Sequence, residues 1–91
     1  MMTIERTKQF KKDLKTIQTR KYDLALIEEV VELLAEGNPL PEKYQDHALI
    51  GNWVGHRECH ILPNWLLVYT YRDNRLVLVL TRTGTHSDLF I

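Results

Sequence analysis

Arg82, His86 and Phe90 stand four residues apart in the stretch R-T-G-T-H-S-D-L-F near the end of the chain. The ends of a domain usually fray, yet this one carries a permanent cation, a group that titrates near neutral pH and a large ring. Two readings are open. The tail is tied down because it does chemistry, or it is an ordinary strand end with polar decoration.

Three further histidines enlarge the set: His47, His56 and His60. If residues 54–62 form a strand, alternation puts His56, Glu58 and His60 on one face, with Arg57, Cys59 and Ile61 on the other. Cys59 then points away from both histidines and has no C-x-x-C partner. That opposes a metal site and leaves Cys59 as a small core residue. The same geometry denies its thiol a neighbouring base. No glycine-rich phosphate loop is present, and Gly84 alone is a weak signal. Neither a cofactor nor a metal is expected.

His47, His60, His86 and Arg82 remain, and that set suits RNA cleavage. One group must take a proton from the ribose 2′-hydroxyl, and another must protonate the departing 5′-oxygen. A cation must stabilise the charge that grows on the phosphate between them. Histidine titrates near the operating pH, and arginine grips phosphate with a fork of donors. The bland alternative is a scatter of exposed polar side chains. Residue types alone do not choose between the two.

The elements that must position these groups read clearly in places. Residues 2–6 can form a short strand. Thr7 is a candidate N-cap, after which Phe10, Leu14 and Ile17 recur at helical spacing among lysines. Asp23 can cap a second helix with the stripe Leu24, Ile27, Val30 or Val31, and Leu34, ended by Gly37-Asn38-Pro39. An irregular segment holding His47 follows. Then come three strand-like runs: Val54 to Leu62, W-L-L-V-Y-T-Y, and R-L-V-L-V-L-T-R-T, with turns at Pro63-Asn64 and Asp73-Asn74. Helices before strands mean α+β: a two-helix hairpin packed on a twisted antiparallel sheet. One sheet face or its rim is then free for function.

A chain of 91 residues holds one domain with a modest core. No apolar run approaches the ~20 residues of a membrane-spanning helix. The start M-M-T-I-E-R-T-K does not look like a signal peptide, and the single Cys59 fits a reducing compartment, so the expected location is the cytoplasm. Formal net charge is zero, from 12 basic and 12 acidic residues, which argues against a simple basic nucleic-acid binder. The charges are nonetheless segregated. Arg6, Lys8, Lys11, Lys12, Lys15, Arg20 and Lys21 outnumber Glu5 and Asp13, whereas acids dominate residues 23–46. Such a basic patch can meet phosphates or an acidic partner; two solvated helix faces explain it equally well.

The stretch Y-Q-D-H-A-L-I-G-N-W-V-G-H-R-E-C-H-I-L-P-N-W-L-L-V-Y, followed by T-R-T-G-T-H-S-D-L-F, closely resembles the YafQ branch of the RelE-type bacterial toxins. The likeness covers the whole chain, residues 1–91, including the helix start T-K-Q-F-K-K-D-L-K. It implies a microbial RNase-type fold and the toxin half of a type II toxin–antitoxin pair. It also implies a metal-independent endoribonuclease that cuts mRNA in the ribosomal A site and arrests translation. The implied partners are the ribosome, mRNA and an acidic, partly disordered antitoxin of the DinJ or RelB type. DNA would be met only through the antitoxin complex, and no membrane is involved.

The family's functional positions fall on His47 in D-H-A-L-I-G, His60 in R-E-C-H and Trp65 in P-N-W. They continue with Arg82 and His86 in T-R-T-G-T-H, and with Phe90. The resemblance implies Arg82 for the scissile phosphate, His86 as proton donor and Phe90 for packing or stacking. Trp65 is equally a core residue or a substrate contact. Lys11, Lys12 and Lys15 on the basic first helix are the expected antitoxin contacts. Two features depart from the family pattern. Asn64 stands where the family has an aspartate, and an amide hydrogen-bonds but does not accept a proton at neutral pH. The neutral net charge departs from the usual basic toxin and implies fewer phosphate contacts. Cleavage of free RNA, or a catalytically weak module that only binds antitoxin, are the competing functions.

Overall fold

A computed structural model describes residues 1–90. Thr7 caps helix α1 (Lys8–Thr19), its hydroxyl accepting the Phe10 N–H at 2.9 Å. Phe10 and Ile17 are fully buried, each burial contributing on the order of 2 kcal/mol. Helix α1 ends in a Schellman turn with Lys21 in the left-handed region (φ 69°): Tyr22 N–H donates to Ile17 and Lys21 N–H to Gln18. Asp23 caps helix α2 (Leu24–Ala35), accepting the Ala25 N–H at 3.0 Å. The same turn recurs after it, now with Gly37 at φ 80°. Both helices bury their apolar stripes in one core with Trp65, Leu67, Tyr69, Leu78 and Leu80. No helix among the described residues is long and apolar enough to cross a membrane.

The sheet has five strands in the order β1-β5-β4-β3-β2: β1 (Thr3–Arg6), β2 (His47–Ala48), β3 (Arg57–Leu62), β4 (Trp65–Arg72) and β5 (Val77–Gly84). Strands β3, β4 and β5 pair antiparallel, as expected; β2 adds an unexpected antiparallel edge, and β1 lies parallel to β5 and makes the sheet mixed. The first strand-like run is also shorter than its alternation suggests. Residues 51–53 form a 3-10 turn, Val54 is exposed and Gly55 takes φ 89°, so pairing starts only at Arg57. His56 therefore precedes the strand, and the face shared with Glu58 and His60 does not include it as a strand residue. The last hairpin turn extends past Asp73-Asn74 to Arg75, all three residues being left-handed.

Two irregularities decide which side chains face where. In β5 the partner of Tyr69 is Leu80 but the partner of Val68 is Arg82, leaving Thr81 as an extra residue. Strict alternation from Leu78 and Leu80 would drive Arg82 into the helix-side core. The bulge turns it to the opposite face and puts Thr83 in the core instead. That opposite face is not bare: Leu66, Val68 and Leu89 form a second small core under Leu49, Trp53 and Phe90. The tail that covers it is not a strand end but a short helix, α3 (His86–Phe90).

Candidate active site

The register places His47, His60 and Arg82 in two rows on the face away from α1 and α2. His47 pairs with Glu58, Glu58 with Val68, and Val68 with Arg82; His60 pairs with Leu66, and Leu66 with Gly84. At about 4.8 Å per strand, Arg82 lies roughly 10 Å along the sheet from Glu58 and roughly 14 Å from His47. The structure thus forms two half-sites flanking the small second core.

In the first half-site Glu58 stands between two imidazoles. Its Oε1 is 3.6 Å from His47 Nε2 and 3.7 Å from His60 Nε2, and its side chain is 8% exposed. His47 Nδ1–H donates to the Gln45 carbonyl (2.8 Å) and His60 Nδ1–H to the Pro63 carbonyl (3.3 Å). A carbonyl only accepts, so in the neutral rings both Nε2 atoms carry the free lone pair. Each Nε2 thus faces the same Glu58 carboxylate oxygen. Glu58 shares strand parity with His60, a signal the sequence offered. Its contact with His47 depended on β2, a two-residue strand within what reads as an irregular loop.

His47 is held from behind. The preceding residue, Asp46, accepts Arg57 Nε at 3.2 Å and Arg57 Nη2 at 3.0 Å, and the Tyr69 hydroxyl donates to its other oxygen. Burial, then the neighbouring Asp46, push the Tyr69 phenol far above its ordinary range, so it stays a donor. Asn64 is exposed at the tip of the β3–β4 turn, next to the Pro63 carbonyl that anchors His60.

Trp65 is not available to a substrate. It is fully buried, its Nε1–H donates to Thr83 Oγ at 2.8 Å, and Tyr22 packs edge-on at 5.1 Å. Of the two readings for this residue, the structure places it in the core. Cys59 is likewise core, and burial pushes its thiol far above the ordinary range, with Asp46 and Glu58 adding to the effect. His56 sits edge-on to Trp53 at 5.3 Å with its Nδ1 buried and unpaired. No group of three or more His, Cys, Asp or Glu suited to a metal occurs among the described residues.

The second half-site holds Arg82, His86 and Phe90. Arg82 is not a free cation. Nε donates to Asp13 Oδ2 at 2.8 Å and Nη2 to Oδ1 at 3.0 Å, and these hydrogen bonds to Asp13 push the guanidinium pKa further up. Asp13 also takes the Thr83 N–H at 3.1 Å, standing in for a neighbouring strand where β1 has ended. It is 8% exposed. The sequence contained the clue: Asp13 lies three residues after Phe10 and four before Ile17, on the apolar stripe and not among the solvated lysines. Arg82, Thr83, Asp13, Thr16 and Asp88 line a cleft of about 190 Å³.

His86 is exposed at the start of α3, its ring 5.2 Å from Phe90, which in turn packs edge-on to Trp53 at 6.2 Å. Thr85 and Asp88 cap each other. Asp88 N–H donates to Thr85 Oγ at 3.2 Å, and Thr85 N–H to Asp88 Oδ2 at 2.9 Å. This capping box is spelled T-H-S-D in the sequence. Arg20, and then the Thr85 N–H, hold the Asp88 carboxyl well below the usual carboxylate range. Lys11, Lys12 and Lys15 are exposed along α1.

Known proteins resemble this chain in both sequence and structure. The chain is 41% identical over 88 residues to the mRNA interferase toxin YafQ of Escherichia coli K12, covering 96% of this chain and 94% of that protein. A copper-bound L66S mutant toxin from Helicobacter pylori superposes with a TM-score of 0.93 at 40% identity, over 99% of this chain and all of that one. The E. coli DinJ–YafQ complex gives 0.90 at 39% identity, with both chains fully covered. The family model for the bacterial toxin YafQ of type II toxin–antitoxin systems matches residues 2–91. Agreement of that model with the near-complete alignments and superpositions leads to one conclusion: this chain is a member of the YafQ family of type II toxin–antitoxin toxins.

Proposed function

We propose that this toxin is an mRNA endonuclease that works in the ribosomal A site, in the cytoplasm, and is held inactive by an acidic DinJ-like antitoxin. The observation that carries the reading is the Glu58-bridged pair of His47 and His60, on the sheet face that also bears Arg82. His47 or His60 takes the 2′-hydroxyl proton at Nε2, and the imidazolium is stabilised by Glu58. The 2′-oxygen attacks phosphorus, and the bond to the 5′-oxygen breaks as His86 supplies that oxygen with a proton. The products are a 2′,3′-cyclic phosphate and a 5′-hydroxyl. Arg82 meets the phosphate from the sheet face; its cleft side, walled by Asp13 and Asp88, repels anions. Phe90 offers a ring edge to a base, and Asn64 a hydrogen bond in place of proton transfer.

Induced expression without antitoxin, with transcript ends mapped, tests the proposal. Growth arrest with cuts in phase with codons is expected. Cuts that persist on ribosome-free RNA would support a general ribonuclease, and no cuts at all a module that only binds antitoxin.

The antitoxin surface is tested separately. Lys11, Lys12 and Lys15 present an exposed basic face, complementary to an acidic segment that folds on binding. Changing all three to Glu should weaken antitoxin binding about tenfold or more at low salt, and less at high salt where the attraction is already screened. Unchanged affinity at low salt would remove this face from the interface.

A further inference from the structure

We propose that Arg20 and Asp88 are positioning residues that lock the terminal helix, and with it His86 and Phe90, against the body of the toxin. The inference rests on the nuclease reading above. Helix α3 has only five residues, too few to hold itself together in water. Three contacts converge on Asp88 to compensate. One is the reciprocal cap with Thr85. Another is a two-pronged ion pair to α1, in which Arg20 Nη1 donates to Oδ2 at 2.8 Å and Nη2 to Oδ1 at 3.3 Å. The last is close packing on β5: a Cβ at Gly84 would lie 3.0 Å from both Asp88 Cβ and Oδ2.

Arg20 is well placed to be the fixed end. It is the C-cap of α1, pinned by backbone bonds to the preceding turn, and Tyr22 two residues on packs against the buried Trp65. The tether therefore runs from the main core, through the Arg20 fork, to the helix that carries the candidate proton donor. Leu89 anchors the same helix from its other side in the second core. Apolar anchoring alone leaves the short helix free to rotate about Leu89; the directional fork on Asp88 fixes the azimuth at which His86 is presented. A displacement of about 1 Å in such a group can cost up to ~10²-fold in rate.

The test compares wild type with Arg20→Gln, Arg20→Lys, Asp88→Asn and, as a charge control, Lys21→Gln. Each is assayed for cleavage of mRNA on programmed ribosomes and for amide hydrogen exchange at Asp88 and Leu89, whose N–H groups donate to the Thr85 carbonyl. Arg20→Gln and Asp88→Asn should cleave roughly tenfold or more slowly, with faster exchange at both amides. Arg20→Lys should recover part of both, and Lys21→Gln should match wild type. Antitoxin binding confirms that each variant is folded. Unchanged exchange in Arg20→Gln overturns the tether, and lost protection with undiminished cleavage overturns its positioning role. If wild type itself fails to cleave, the nuclease reading falls and this proposal with it; an active wild type matched by Arg20→Gln removes the proposal alone.

Discussion

Arg82→Ala should lower the rate of mRNA cleavage by ~10²–10³-fold, the usual effect of deleting one donor that faces developing charge in a transition state. Fold stability will fall as well. Asp13, at 8% exposure, keeps the Thr83 N–H and the Gln9 side-chain amide but loses both guanidinium bonds. A charged hydrogen-bond partner lost at such a site costs about 2 kcal/mol, or roughly 8–16 °C in Tm for a domain of this size. The assay must therefore be run where the variant is shown to be folded. Two companions separate chemistry from architecture. Arg82→Lys keeps the charge but cannot bridge both Asp13 oxygens, so it should recover part of the rate and little of the stability. Asp13→Asn keeps Arg82 while loosening its fork, and should cost only about tenfold in rate. If Asp13→Asn cleaves as poorly as Arg82→Ala at equal folded fraction, Arg82 acts as a strut and not as a phosphate clamp.

The dual dependence of Arg82 also marks where sequence reasoning stops. The helices were legible because their signals are local: Thr7 and Asp23 as caps, Gly37 after α2, and apolar stripes at helical spacing. The strands were legible as β-rich runs, and the antiparallel order of β3, β4 and β5 followed from their short turns. Their facing was not. The bulge at Thr81 leaves no mark in R-L-V-L-V-L-T-R-T, yet it alone decides whether Arg82 enters the core or the candidate site. The β1–β5 pairing joins the two ends of the sequence and has no local signature.

Charge partners were the other blind spot. Asp13, Glu58 and Asp88 each sit beside a residue that the sequence had already singled out, or hold its helix. Each had a readable signal: a carboxylate on an apolar stripe, a carboxylate sharing parity with a histidine, a capping box. None of these signals names its partner, because ion pairs between elements are set by packing and not by spacing. Trp65 shows the opposite failure. Its place in P-N-W marks a family position without saying whether the ring faces substrate or core, and burial decides for the core.

His86→Gln should reduce cleavage by roughly two orders of magnitude or more, within the range for losing a general acid. The substitution keeps a polar side chain on an exposed position of α3, so fold and antitoxin affinity should be preserved. The pH profile gives the sharper reading. A general acid must be protonated and a general base neutral, so a mechanism that uses both gives a bell-shaped profile whose alkaline limb belongs to the acid and whose acid limb belongs to the base. Asp88 does not contribute to either limb between pH 5 and 8, because its folded-state pKa is depressed and the Arg20 pair is lost only as pH falls through that low value. His86→Gln should abolish the alkaline limb and leave the acid limb in place, whereas His60→Gln should do the reverse if His60 is the base. Retention of the alkaline limb in His86→Gln, or cleavage at the wild-type rate on programmed ribosomes, would exclude His86 as the donor. The terminal helix would then keep only its packing role over Leu66 and Val68.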